Sequence, residues 1–89
     1  MVKLNWHSFA KGDLIQIYNY IYEDSVYYAV KTVDEIVRRT DNLNFSPYMG
    51  RKVPEYDLIA IRELIYKSYR IIYEVQANKI LIKIKLILN

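Results

Sequence analysis

Along the first half of the chain the apolar positions recur with a helical period. Ala10, Leu14, Ile17 and Ile21 are spaced 4, 3 and 4, one face of a 3.6-residue repeat. Ser8 stands where a cap is needed, and residues 2–6 before it read as a short opening strand. Asp24-Ser25 restarts the chain, with Ser25 as the next N-cap. Val26, Ala29, Val33, then Ile36 or Val37, and Leu43 continue an apolar stripe. The pattern predicts two antiparallel helices joined by a tight turn.

The second half changes period. Residues 44–57 hold both prolines and one of the two glycines, with Asn44 and Ser46, and read as a loop. Beyond Leu58 the side chains alternate. Tyr69, Ile71, Tyr73 and Val75 interleave with Arg70, Ile72, Glu74 and Gln76, and Ile80, Ile82, Ile84, Leu86 and Leu88 interleave with Leu81, Lys83, Lys85 and Ile87. A four-residue connection, Gln76-Ala77-Asn78-Lys79, pairs Val75 with Ile80, Tyr73 with Ile82 and Ile71 with Ile84. That register collects the strongly apolar sets on one face and Arg70, Lys83 and Lys85 on the other. The preceding hairpin turns either at Lys67-Ser68 or through a longer loop, and the choice decides whether Arg62 joins Arg70 or points to the core. The expected architecture is β-α-α-β-β-β, a helical hairpin packed on a small antiparallel sheet, in the α+β class.

Eighty-nine residues, 53% of them hydrophobic, make one domain with a single modest core, residues 1–89. There is no cysteine and only one histidine, His7, so thiolate and histidine-rich metal sites are excluded. No cofactor is expected. The N-terminus lacks the apolar core of a signal peptide, and the C-terminal apolar tract is broken by Lys79, Lys83 and Lys85. A soluble cytoplasmic protein with no membrane contact follows as the expectation. Net charge is +3 but uneven: residues 1–43 carry five Lys/Arg against six Asp/Glu (−1), residues 44–89 eight against four (+4). The strand half is the basic half, compatible with a nucleic-acid or acidic protein partner.

Three arginines stand at the junction of the halves: Arg51, beside Lys52 on the loop, then Arg62 and Arg70 inside apolar strand-like runs. A guanidinium keeps its charge and is costly to bury alone, so each needs a partner inside the protein or outside it. The internal partners on offer are Glu55, Asp57, Glu63 and Glu74. The external reading makes Arg51, Lys52, Arg62, Arg70, Lys83 and Lys85 a target-binding surface, with Arg62 and Arg70 the candidates for any catalytic role. Lys83 and Lys85 also suit a solvated strand face. The chain has ten tyrosines, and Tyr18, Tyr20, Tyr22, Tyr27 and Tyr28 cluster near the helix–helix junction. They cannot all face one small core, so Tyr18, Tyr22, Tyr27 and Tyr28 are candidates for a protein interface, for a partner or for a homodimer. Trp6 is expected in the core.

The ordered set Trp6, Ala10, Asp13-Leu14, Tyr20-Ile21, Ser25, Ala29, Gly50-Arg51, Val53-Pro54-Glu55, Ile61-Arg62-Glu63-Leu64 and Tyr69-Arg70-Ile71-Ile72-Tyr73 resembles the RelE/ParE superfamily of type II toxin–antitoxin toxins. The resemblance covers essentially the whole chain, and its Gly-Arg-x-Val-Pro-Glu and Ile-Arg-Glu-Leu segments are more similar to the ParE-like branch, the plasmid stabilisation proteins. It implies a small cytoplasmic toxin neutralised by a cognate antitoxin, with operator DNA reached only through that antitoxin. ParE-like members poison DNA gyrase and are not nucleases; RelE-like members cut mRNA at the ribosome. RNA cleavage needs a base, an acid and cations for the developing phosphate charge. Arg62 and Arg70 could supply the cations, and Glu63, Glu74 or a tyrosine the base, but His7 precedes the first helix and no acid is evident. The last strand ends at Asn89 without the His, Tyr or Arg-Arg tail usual in the superfamily. Three readings therefore stand: a gyrase poison, a ribosome-dependent endoribonuclease, or an attenuated toxin that only binds its antitoxin.

Overall fold

The computed structural model describes residues 3–77 and 79–86, the last four of these by backbone alone. The chain runs β1 (Lys3–Trp6), α1 (Ser8–Tyr22), α2 (Val26–Asp41), a 3-10 turn (Asn42–Asn44), β2 (Arg51–Lys52), β3 (Ile61–Tyr66), β4 (Tyr69–Val75) and β5 (Lys79–Leu86). The five strands form one sheet in the order β1-β5-β4-β3-β2, and the helical hairpin packs on one of its faces.

The α+β arrangement is the expected one, with two additions. First, β1 lies parallel to β5, pairing Leu4 with Ile80 and Trp6 with Ile82, so the sheet is mixed. Strand β5 is long and apolar, and β1 covers an edge that would otherwise offer unpaired backbone groups. Second, Arg51 and Lys52, expected in a loop, pair with Glu63 and Arg62 as a two-residue strand. Two residues are too few to display a period.

The helix ends differ in one detail. His7, and not Ser8, caps α1: its Nδ1 accepts a hydrogen bond from the Phe9 N–H at 3.1 Å, and Ser8 is the first helical residue. The His7 backbone is extended and its own N–H donates to the Ile82 carbonyl, so the cap is positioned by the end of β1. Ser25 caps α2 as expected, accepting from the Tyr28 N–H.

Both β-hairpins fall in the compact registers. Val75 pairs with Ile80, Tyr73 with Ile82 and Ile71 with Ile84; Tyr66 pairs with Tyr69 across a two-residue turn whose first residue, Lys67, has φ of 54°. The core gathers Ala10 and Ile17 of α1, Ile36 of α2, Leu43, and Ile71, Tyr73, Ile80 and Ile82 of the sheet. Ile36 is the core residue of its pair, with Val37 half-buried. Trp6 is half-buried against that cluster. Val2, Asn78 and residues 87–89, the last carrying the end of the expected final strand, lie outside the described residues.

Candidate partner-binding surface

Strand register separates the two arginines that looked alike in sequence. Arg62 is opposite Tyr73, on the face turned to the helices, whereas Arg70 is opposite Ile65 on the other face. The two guanidinium groups therefore never meet.

Arg62 is a fastener between two loops. Its Nε donates to the Ile59 carbonyl at 2.8 Å, its Nη1 to the Gly50 carbonyl at 3.1 Å, and its plane lies over the Tyr48 ring at 5.2 Å. The other side of the same peptide segment is held by Tyr73. Its buried hydroxyl donates to the Pro47 carbonyl at 2.7 Å and accepts from the Gly50 N–H at 3.0 Å. Burial pushes the Tyr73 phenol above its ordinary value of 10.0, against the opposing pull of the Gly50 bond and the Arg62 charge. Gly50 is required here by close approach: a Cβ would sit 2.6 Å from the Glu63 carbonyl oxygen and 2.8 Å from the Tyr73 hydroxyl.

On the open face Glu63 is the centre. Its side chain is fully buried between two arginines, with Oε1 2.5 Å from Arg51 Nε and Oε2 3.2 Å from Arg70 Nε. The second contact is an ion pair without aligned hydrogen-bond geometry, so Oε2 has a charge partner but no donor aimed at it. Arg70 also donates through Nη1 to Glu55, and that bond is the main reason its already high pKa is raised further. Lys52 pairs with Asp57 at 3.0 Å on the surface, where such a pair contributes little. The Lys83 and Lys85 backbones fall opposite Ile72 and Arg70, as the expected register requires; their side chains lie outside the described residues.

The tyrosines divide. Tyr18 is half-buried, while Tyr20, Tyr22, Tyr27 and Tyr28 are all at least half exposed. Tyr18 and Tyr22 lie tilted at 5.8 Å, Tyr27 and Tyr28 edge to face at 5.1 Å, and Lys31 reaches over Tyr27. Ile15, Val26 and Val30 are exposed on the same helical hairpin. Such a density of exposed aromatic and aliphatic groups is the composition of a protein interface. A second exposed set, Phe45, Tyr48, Met49, Leu58 and Ile59, sits on the loops that flank β2, and sequence reasoning did not single it out. Nor did it foresee the Tyr73 anchor, because a buried hydroxyl and a buried methyl give the same alternation.

No group of three His, Cys, Asp or Glu side chains positioned to hold a metal ion occurs among the described residues, and no described helix is long and apolar enough to cross a membrane. What the fold offers is a small α+β scaffold presenting aromatic and charged surfaces.

The model of one protein family, the ParE toxin of type II toxin-antitoxin system, parDE, matches residues 4–89. The chain belongs to that family, and a toxin of such a system has a cognate antitoxin as its partner. Among solved structures it is similar to one described as the chromosomal ParDE TA system from P. aeruginosa, with 25% identity, a TM-score of 0.81, and coverage of 99% of this chain and 98% of that one. No curated protein sequence matches this chain.

Proposed function

We propose that this toxin arrests growth in the cytoplasm by binding and poisoning DNA gyrase, and that a cognate antitoxin neutralises it. The observation that carries this reading is the separation of Arg62 and Arg70 onto opposite faces of the sheet. Cleavage of RNA by its own 2′-hydroxyl needs a base, an acid and a cation converging on one phosphate. Here Arg62 is spent on backbone carbonyls and Arg70 on carboxylates, and His7 is occupied in capping α1. Glu63, the carboxylate that contacts both Arg51 and Arg70, is buried beneath them rather than open to a substrate. A binding surface accounts for these groups better than a nuclease centre does.

The test uses the purified full chain in gyrase supercoiling and cleavage-complex assays, beside in vitro translation with mapping of mRNA ends. Inhibition of supercoiling with trapped cleavage complexes, and intact mRNA, is the expected result. New ribosome-dependent mRNA ends without any effect on gyrase would replace this reading by the endoribonuclease one. Silence in both assays with retained antitoxin binding would leave the attenuated toxin.

A further inference from the structure

Arg51 is held in an unusual way for a surface arginine. Its side chain is 64% exposed, yet the carboxylate that grips it is completely buried. Glu63 takes only the Nε edge. The two terminal nitrogens of Arg51, with four N–H donors between them, have no partner among the described residues. An arginine ordinarily loses much rotamer freedom when it binds an anion, and a guanidinium already fastened at Nε loses less. The outward edge is the planar two-nitrogen fork that matches a carboxylate or phosphate.

Charge chooses between those anions. Around the fork, Arg51, Lys52 and Arg70 are matched by Glu55, Asp57 and Glu63, three against three. Lys83 and Lys85 belong to β5, with Lys85 opposite Arg70 and Lys83 opposite Ile72, and their side chains lie outside the described residues. Tracking a phosphate backbone takes an accumulated surplus of cations, and none forms among the described side chains around the fork. Ile65, 47% exposed on the same face opposite Arg70, and Tyr56, which lies within electrostatic reach of Arg70, add the apolar and aromatic character of a protein contact.

We propose that Arg51, oriented by the buried Glu63, is a docking point for a carboxylate carried on an acidic segment of a protein partner. This holds whichever enzyme the toxin targets. Glu63 is the positioning residue and Arg51 the contact.

The test follows the Arg51 side-chain Nε–H signal by NMR in the isotopically labelled full chain at low ionic strength. Hexaglutamate peptide is titrated in one series and hexauridylate in another. The expected result is a saturable shift of the Arg51 signal with hexaglutamate, tighter than with hexauridylate. The affinity, followed at the backbone amides of Lys52 and Ile65, should fall about five-fold or more in Arg51→Lys, which keeps the charge and loses the fork. Glu63→Gln, which keeps Arg51 but releases its Nε, should weaken binding in the same direction; if that variant does not fold, Arg51→Lys and Arg51→Ala decide alone. Equal hexaglutamate affinity in wild type, Arg51→Lys and Arg51→Ala overturns the proposal. So does tighter binding of hexauridylate at Arg51, which would assign the fork to nucleic acid.

Discussion

Replacing Tyr73 by phenylalanine removes one oxygen atom and leaves the ring packing of the core intact, so it isolates what the hydroxyl does. That oxygen is the donor to Pro47 and the acceptor from Gly50, at 2.7 and 3.0 Å, and the residue is 1% exposed. Each neutral hydrogen bond contributes on the order of 1 kcal/mol net, and an orphaned buried donor costs about 1–3 kcal/mol. The Gly50 N–H is such a donor, because Gly50 is itself buried. The Pro47 carbonyl lies in a half-buried residue and can recover water. The expected loss is therefore about 2–3 kcal/mol, or a fall in Tm of roughly 10–20 °C for a domain of this size. Urea unfolding followed by circular dichroism measures the first, and scanning calorimetry the second. Native-state hydrogen exchange should also show the Gly50 amide losing protection more than the amides of β4 and β5. A destabilisation below about 0.5 kcal/mol, with Gly50 exchange unchanged, would refute the idea that this hydroxyl anchors the loop carrying Arg51.

Four further outcomes are expected. Burial raises the Tyr73 pKa above 10.0, so the native state holds this proton more tightly than the unfolded chain does. The corresponding stability is whole below about pH 10 and is lost as pH rises through the native value, and a pH series of urea midpoints should fall less steeply in Tyr73→Phe. Gly50→Ala puts a methyl against the Glu63 carbonyl and should cost about 1–3 kcal/mol by displacing backbone rather than a flexible side chain, read from the same urea curves. His7→Ala should lose about 1 kcal/mol with the α1 cap, and His7→Asn should recover most of it, because asparagine also accepts from the helix N-terminus. Tyr27→Ser with Tyr28→Ser should change stability by less than about 1 kcal/mol while weakening antitoxin capture measured by calorimetry, since both rings are exposed.

Reading the chain in order recovered the two helices and the long strands because each of these is long enough to repeat its own period. The 4, 3, 4 spacing of Ala10, Leu14, Ile17 and Ile21 made α1 legible, and strict alternation made β4 and β5 legible down to the pairing of Val75 with Ile80. Where an element is two residues long, as in β2, there is no repeat to read. His7 escaped notice as a cap because Ser8 is an equally good acceptor one residue later, and only the path of β1 decides which of them precedes the first helical turn. The site was legible as a list of residues and illegible as an arrangement. Glu63 stood among four acidic candidates for the arginines; no local signal marked it as the one buried beneath Arg51 and Arg70.

By itself, then, the amino-acid sequence determined the α+β class, the helical hairpin, the β4–β5 register and the ParE-like character of the chain, all properties carried by neighbours in sequence or by an ordered set of short segments. Tertiary structure alone decided the fates of the three arginines. A one-residue change of register would exchange the two faces of β3, so whether Arg62 meets backbone carbonyls or carboxylates depends on a two-residue turn at Lys67-Ser68 that pairs Tyr66 with Tyr69. Arg62 became a fastener of loops, Arg70 a partner of Glu55 and Glu63, and Arg51 an outward fork on a buried carboxylate. The physical reason is range: periodicity is a local property of the chain, whereas Arg51 and Arg70 find their carboxylates on strands and a loop 7 to 15 residues away in sequence.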